Sequence, residues 1–121
     1  MPKHAINWFE IPVTDMDRAV SFYEAVLGVP LERMELGTPV AVFPHDEAGV
    51  GGALSLDGRS PSAEGSLVYL EVDGKLQDVL DRVPGAGGEV ALPVTEIGGE
   101  YGYYAYVMDT EGNKVGLYET L

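Results

Sequence analysis

The chain has 121 residues, 45% of them hydrophobic and 22% charged, which fits one ordinary globular domain and excludes a disordered segment. Cysteine is absent, so disulfides, thiolate metal sites and a cysteine nucleophile are excluded. The net charge of −13 repels nucleic acid and anionic lipid and attracts cations, so no nucleic-acid or membrane partner is expected. The opening MPKHAINWFE lacks the apolar run of a signal peptide, and a cytoplasmic location is expected.

Taken in chain order, residues 5–13 (AINWFEIPV) alternate. Phe9, Ile11 and Val13 share one face and Trp8, Glu10 and Pro12 the other, which is the period of a strand. Asp15 stands where a helix N-cap belongs. Met16, Ala19, Val20, Tyr23, Val26 and Leu27 then recur at helical spacing, and Gly28 and Pro30 end the helix. Three short strands are predicted next, over 31–36, 39–44 and 50–56. The polar, turn-rich stretch 57–65 reads as a connector. It is too short to tether independent domains.

The second half repeats the order. A strand is predicted over 66–72 and a shorter helix over about 75–83, with Leu76, Val79, Leu80 and Val83 on one stripe. Strands follow at 89–97, 101–109 and 113–119. The phrase DEAGVGGAL (46–54) thus returns as DTEGNKVGL (109–117), the turn and last strand of each half. Asp46 aligns with Asp109, Gly49 with Gly112, Ala53 with Gly116 and Leu54 with Leu117. A half of this length is marginal alone, so the two must cover each other, within a chain or between chains. Two curved sheets brought together leave a cleft.

INWFEIPVTDMDRAVSFYEAVLG, followed by DTEGNKVGLYE, resembles the vicinal oxygen chelate superfamily. That group includes glyoxalase I, bleomycin-resistance proteins and extradiol dioxygenases. The resemblance implies an α+β fold with one domain over 1–121. Two βαβββ modules, about 5–56 and 66–119, would form a curved mixed sheet around a cleft. It also implies a homodimer, since members commonly share modules between chains.

The superfamily's enzymes bind one divalent metal in the cleft, through His, Gln or Glu on the first and last strands of two modules. The matching positions here are Trp8, Ala53, Leu67 and Gly116. None offers a side-chain oxygen or nitrogen ligand. A metal-free cleft without cofactor is therefore expected. The two histidines, His4 and His45, read as solvated surface residues.

The ligand-binding candidates are Trp8, Glu10, Tyr69, Glu71 and Tyr118, which share faces with the vacated positions. Trp8 fits either core packing or a flat wall for a planar ligand. Glu10 and Glu71 fit either hydrated rim residues or a clamp or general base. In YGYYAY (101–106), parity alone does not choose which tyrosine pair faces the cleft. Three functions stay open. One is a metal-free binder of a small, cationic or aromatic molecule, as in the bleomycin-resistance branch. Another is a lyase or isomerase related to glyoxalase I, metal-dependent or using Glu and Tyr. The third is a non-catalytic interaction module with a closed cleft.

Overall fold

The computed structural model describes residues 4–98 and 100–120. The first module runs β1 (Trp8–Pro12), α1 (Met16–Leu27), β2 (Glu32–Glu35), β3 (Pro39–Val42) and β4 (Gly51–Ser55). The second runs β5 (Tyr69–Glu71), α2 (Leu76–Arg82), a single 3₁₀ turn (Pro84–Ala86), β6 (Glu89–Glu96), β7 (Tyr103–Met108) and β8 (Lys114–Glu119). Each module makes one four-stranded mixed sheet, ordered β1-β4-β3-β2 and β5-β8-β7-β6. The first strand pairs in parallel with the last, and the other neighbours are antiparallel. This is the expected α+β architecture of two βαβββ units.

The two helices start by different means. Asp15 caps α1 locally, its carboxylate accepting the Arg18 amide at 3.0 Å. Gly28 ends α1 at φ 71°, a left-handed conformation that favours glycine. Lys75, at the start of α2, has no capping side chain. The Glu119 carboxylate, at the end of β8, takes the Leu76 amide instead, at 2.8 Å. Pro93 lies within β6, an edge strand with register shifts on either side of Leu92, where a missing N–H is tolerated.

A single apolar core joins the modules. It runs from Ile11 and Val13, through Ala19, Phe22, Tyr23 and Val26 of α1, to Leu76, Val79, Leu117 and Val115. Phe22 is buried although it lies off the stripe read from the sequence. Helix α1 packs on its own sheet and also on α2 and the 3₁₀ turn, so it needs a second apolar side. Arg82 of α2 donates from Nε and Nη2 to the Val26 carbonyl in the last turn of α1, at 3.1 and 2.9 Å. The modules therefore meet through their helix-bearing faces. The opposite sheet faces carry exposed side chains, among them Trp8 and Tyr69.

Candidate functional site: two open sheet faces and a cavity between the modules

Strand parity sorts the side chains as expected for β1. Phe9, Ile11 and Val13 pack toward the helices, and Trp8 and Glu10 lie on the open face. Trp8 is 37% exposed. Its indole N–H donates to Glu10 Oε2 at 3.3 Å, and its ring stands edge-on to His45, centroids 6.3 Å apart. Glu10 also faces Arg59, with Nη2 to Oε1 at 3.5 Å, while Arg59 is held more tightly by Asp57 at 2.8 Å. The open face of the first sheet thus carries a tryptophan braced by a carboxylate that a guanidinium approaches.

On the second sheet the open face is tyrosine-rich. Ala105 and Val107 are buried in the core, which sends Tyr104 and Tyr106 to the open side. Tyr69 joins them, with ring centroids 6.4 Å from Tyr104 and 6.1 Å from Tyr106. The Tyr69 and Tyr106 hydroxyls are 2.9 Å apart. That hydrogen bond, with a smaller contribution from burial, pushes the Tyr69 hydroxyl up to about 12. The Lys114 ammonium lies 4.5 Å over the Tyr106 ring. Tyr118 is directly across from Tyr104 on the neighbouring strand, and its hydroxyl donates to the Tyr101 carbonyl.

The third feature is a cavity of ≈ 690 Å³ where the modules meet. Phe9, Phe43, Leu70 and Val72 give it an apolar floor, and Leu27, Val29 and Pro30 come from the end of α1. Its exposed rim carries His45, Asp46, Tyr69, Glu71 and Asp73. Of the five residues singled out from the sequence, Tyr69 and Glu71 meet at this cavity. Trp8 and Glu10 stay together on the first sheet, and Tyr118 belongs to the tyrosine face. Glu10 and Glu71 lie on different sheets, and Glu71 accepts the Thr120 hydroxyl at 3.0 Å.

His45, expected as a solvated surface residue, is exposed, and its ring also makes defined contacts. Its ring occupies the place where a Cβ at Gly51 would go, and its Nδ1 is 3.1 Å from the Phe43 carbonyl. The only sequence signal was its position between a strand and the Asp46 turn. Position alone says nothing about where a ring folds back.

Residues 5–117 match the family model described as the Glyoxalase/Bleomycin resistance protein/Dioxygenase superfamily. The chain belongs to that superfamily. A "glyoxylase-like domain-containing protein" of Didymella fabae is 29% identical over 119 residues, covering 89% of this chain and 88% of that one. The fold is shared with a glyoxalase-related enzyme from Fulvimarina pelagi, at TM-score 0.71 and 16% identity, covering 95% of this chain and 87% of that one. It is shared too with a glyoxalase I mutant from Zea mays, at TM-score 0.70 and 20% identity, covering 93% of this chain but 44% of the maize chain.

The sequence resemblance points to Trp8, Ala53, Leu67 and Gly116 as the positions corresponding to the superfamily's metal ligands. Ala53 lies across from Glu10, and Gly116 across from Tyr69. A Cβ at Gly116 would come within 2.5 Å of the Tyr69 ring, so that ring fills the space a ligating side chain would need. Trp8 and Leu67 are partly exposed and supply no acceptor. Among the described residues, no three His, Cys, Asp or Glu are grouped closely enough to hold a metal ion. The donor chemistry at these positions does not fit the divalent ion of the superfamily's enzymes. Also among the described residues, no helix is long and apolar enough to cross a membrane.

Proposed function

We infer that this member of the superfamily binds a small molecule on its aromatic sheet faces without a metal. The observation that carries the reading is the Tyr69 ring lying over Gly116, where the last strand would otherwise present a metal ligand. A flat ring replaces a coordinating group, so recognition shifts from chelation to stacking. Tyr69, Tyr104, Tyr106 and Tyr118 supply one aromatic surface and Trp8 another. Glu10 and Glu71, in a chain of net charge −13, favour ligands with cationic groups. The tyrosine and tryptophan faces are open to solvent, which supports a binder over a module with a closed cleft. The expected assembly is a homodimer and the expected compartment the cytoplasm.

Trp8 is the sole tryptophan and reports directly on its face. Planar aromatic cations are expected to quench or shift its fluorescence, and Tyr69→Ala is expected to weaken their binding by about tenfold through loss of stacking. Elemental analysis of protein purified from medium supplemented with zinc, nickel, iron and manganese is expected to find no equimolar metal. A tightly held equimolar ion would overturn this reading in favour of metal-dependent catalysis.

A further inference from the structure

The internal repeat can be followed through the structure atom by atom. In the first module the Val13 amide donates to the Ser55 carbonyl at 3.0 Å. In the second the Val72 amide donates to the Tyr118 carbonyl at 2.9 Å. Val13 therefore corresponds to Val72, and the turn 46–50 corresponds to the turn 109–113. The second-module turn reaches the β1–α1 junction and seals it. Glu111 Oε1 accepts the Thr14 and Asp15 amides at 2.8 and 2.9 Å, and Asn113 Nδ2 donates to the Pro12 carbonyl at 2.8 Å. The reciprocal contact would bring the first-module turn to the β5–α2 junction. Ala48 and Val50 stand there in place of Glu111 and Asn113, and neither has a polar side chain. The ≈ 690 Å³ cavity, lined by Val50 on one side and by Val72 and Asp73 on the other, is the gap left where that second seal is missing.

We propose that this inter-module cavity, whose rim shares Tyr69 and Glu71 with the tyrosine face but whose floor lies behind it, is a binding site for an organic amine with an apolar body. Its volume lies within the usual range for small-molecule sites. The floor, made by Phe9, Phe43, Leu70 and Val72, accepts hydrocarbon or an aromatic ring. Asp46, Glu71 and Asp73, all exposed, also line the cavity, and among the described residues no lysine or arginine does. An ammonium at the mouth keeps part of its hydration while gaining the negative field of the acidic rim, and the body behind it leaves water. A carboxylate ligand would meet repulsion at the same mouth. A neutral ligand would gain only the floor.

Isothermal titration calorimetry in mildly alkaline buffer, with the full chain, tests this using tryptamine, tryptophol and indole propionate as amine, neutral and anionic forms of one body. Tryptamine is expected to bind about tenfold or more tightly than tryptophol, with the acid weaker still. Glu71→Gln with Asp73→Asn is expected to bring tryptamine down to the level of tryptophol. Glu35→Gln removes one charge on β2, away from the cavity, and is expected to leave the affinity unchanged. Val50→Phe, placed in a turn at the cavity wall, is expected to abolish binding of both. Amide NMR shifts on tryptamine addition are expected at Gly51, Gly52 and Leu70. Equal affinity for tryptamine and tryptophol would overturn the proposal, as would full affinity in the Glu71–Asp73 double variant. Shifts confined to the Trp8 indole, Tyr104 and Tyr106 would overturn it too, by placing the amine on the sheet faces.

Discussion

The turns at 46–50 and 109–113 begin as near copies and end in opposite situations. The second is a clamp. Asp109 and Asn113 are buried, and Asp109 Oδ1 accepts the Glu111 and Asn113 amides at 2.8 Å each. Asp109 Oδ2 takes the Tyr23 hydroxyl at 2.6 Å, tying α1 to the other module. Burial first, then the facing Asp109 charge, push the Tyr23 hydroxyl well above its ordinary value, so it stays a neutral donor. Glu111 meets Arg18 at 2.7 Å and spans the junction of β1 and α1. Among the described residues, the first turn keeps only its own backbone closure, from the Gly49 amide to the Asp46 carbonyl at 2.9 Å. Its residues 46–49 are exposed. A repeated turn phrase therefore does not imply a shared role, and the backbones differ as well, with Gly112 at φ 96° and its counterpart Gly49 outside the left-handed region. Two side chains, at the positions of Glu111 and Asn113, decide whether the turn fastens the modules or borders a cavity.

The largest effect in breaking this contrast is expected from Asn113→Ala. It strips partners from the Pro12 carbonyl and from the Ser62 amide, which Asn113 Oδ1 accepts at 3.1 Å. Denaturant unfolding is expected to show a loss of about 3 kcal/mol, because buried polar groups left without partners lose hydration and gain nothing.

Acid titration is expected to come next. Burial by itself would raise the Glu111 carboxyl, but hydrogen bonds from Arg18, the Thr14 and Asp15 amides and Thr110 outweigh it and hold the group at about 2, against 4.5 when free. The folded value is depressed, so the stabilisation is complete above the unfolded value and is lost as pH falls from about 4.5 toward 2. The contribution is on the order of 2 kcal/mol, reduced from the full shift because Arg18 is half exposed and water screens it. Glu111→Gln is expected to lose this amount at neutral pH and to show a flatter stability profile in that acid window.

Tyr23→Phe is expected to cost about 1–2 kcal/mol by thermal or chemical unfolding, since the Asp109 carboxylate keeps its other donors. The mirror substitution in the first turn, Val50→Ala, is expected to change stability by no more than about 0.5 kcal/mol. A loss there as large as that of Asn113→Ala would erase the distinction between the turns.

Much of the fold was legible because its signals are local. Alternation marked β1, and Asp15 and Gly28 bracketed α1 where capping and left-handed backbone require them. The repeated order of elements, with a turn phrase too weak to count alone, announced two modules. Other features depended on contacts between distant residues. The apolar stripe placed the start of α2 to within a residue, but the carboxylate that caps it, Glu119, lies 43 positions away and leaves no local signal. The choice between the YGYYAY faces needed the packing of Ala105 and Val107, since tyrosine suits either side of a strand. Trp8, left open between core and wall, is exposed on the open face.

The sequence by itself determined the order of elements, the inward face of β1 and the caps of α1. These follow from residue chemistry and spacing of a few positions. The tertiary structure alone decided that the helix-bearing faces meet in one core. It also decided that Tyr69 covers Gly116, that His45 folds over Gly51, and that one turn seals while its counterpart leaves a cavity. Each of those depends on residues far apart in the chain arriving at the same place, which local periodicity does not encode.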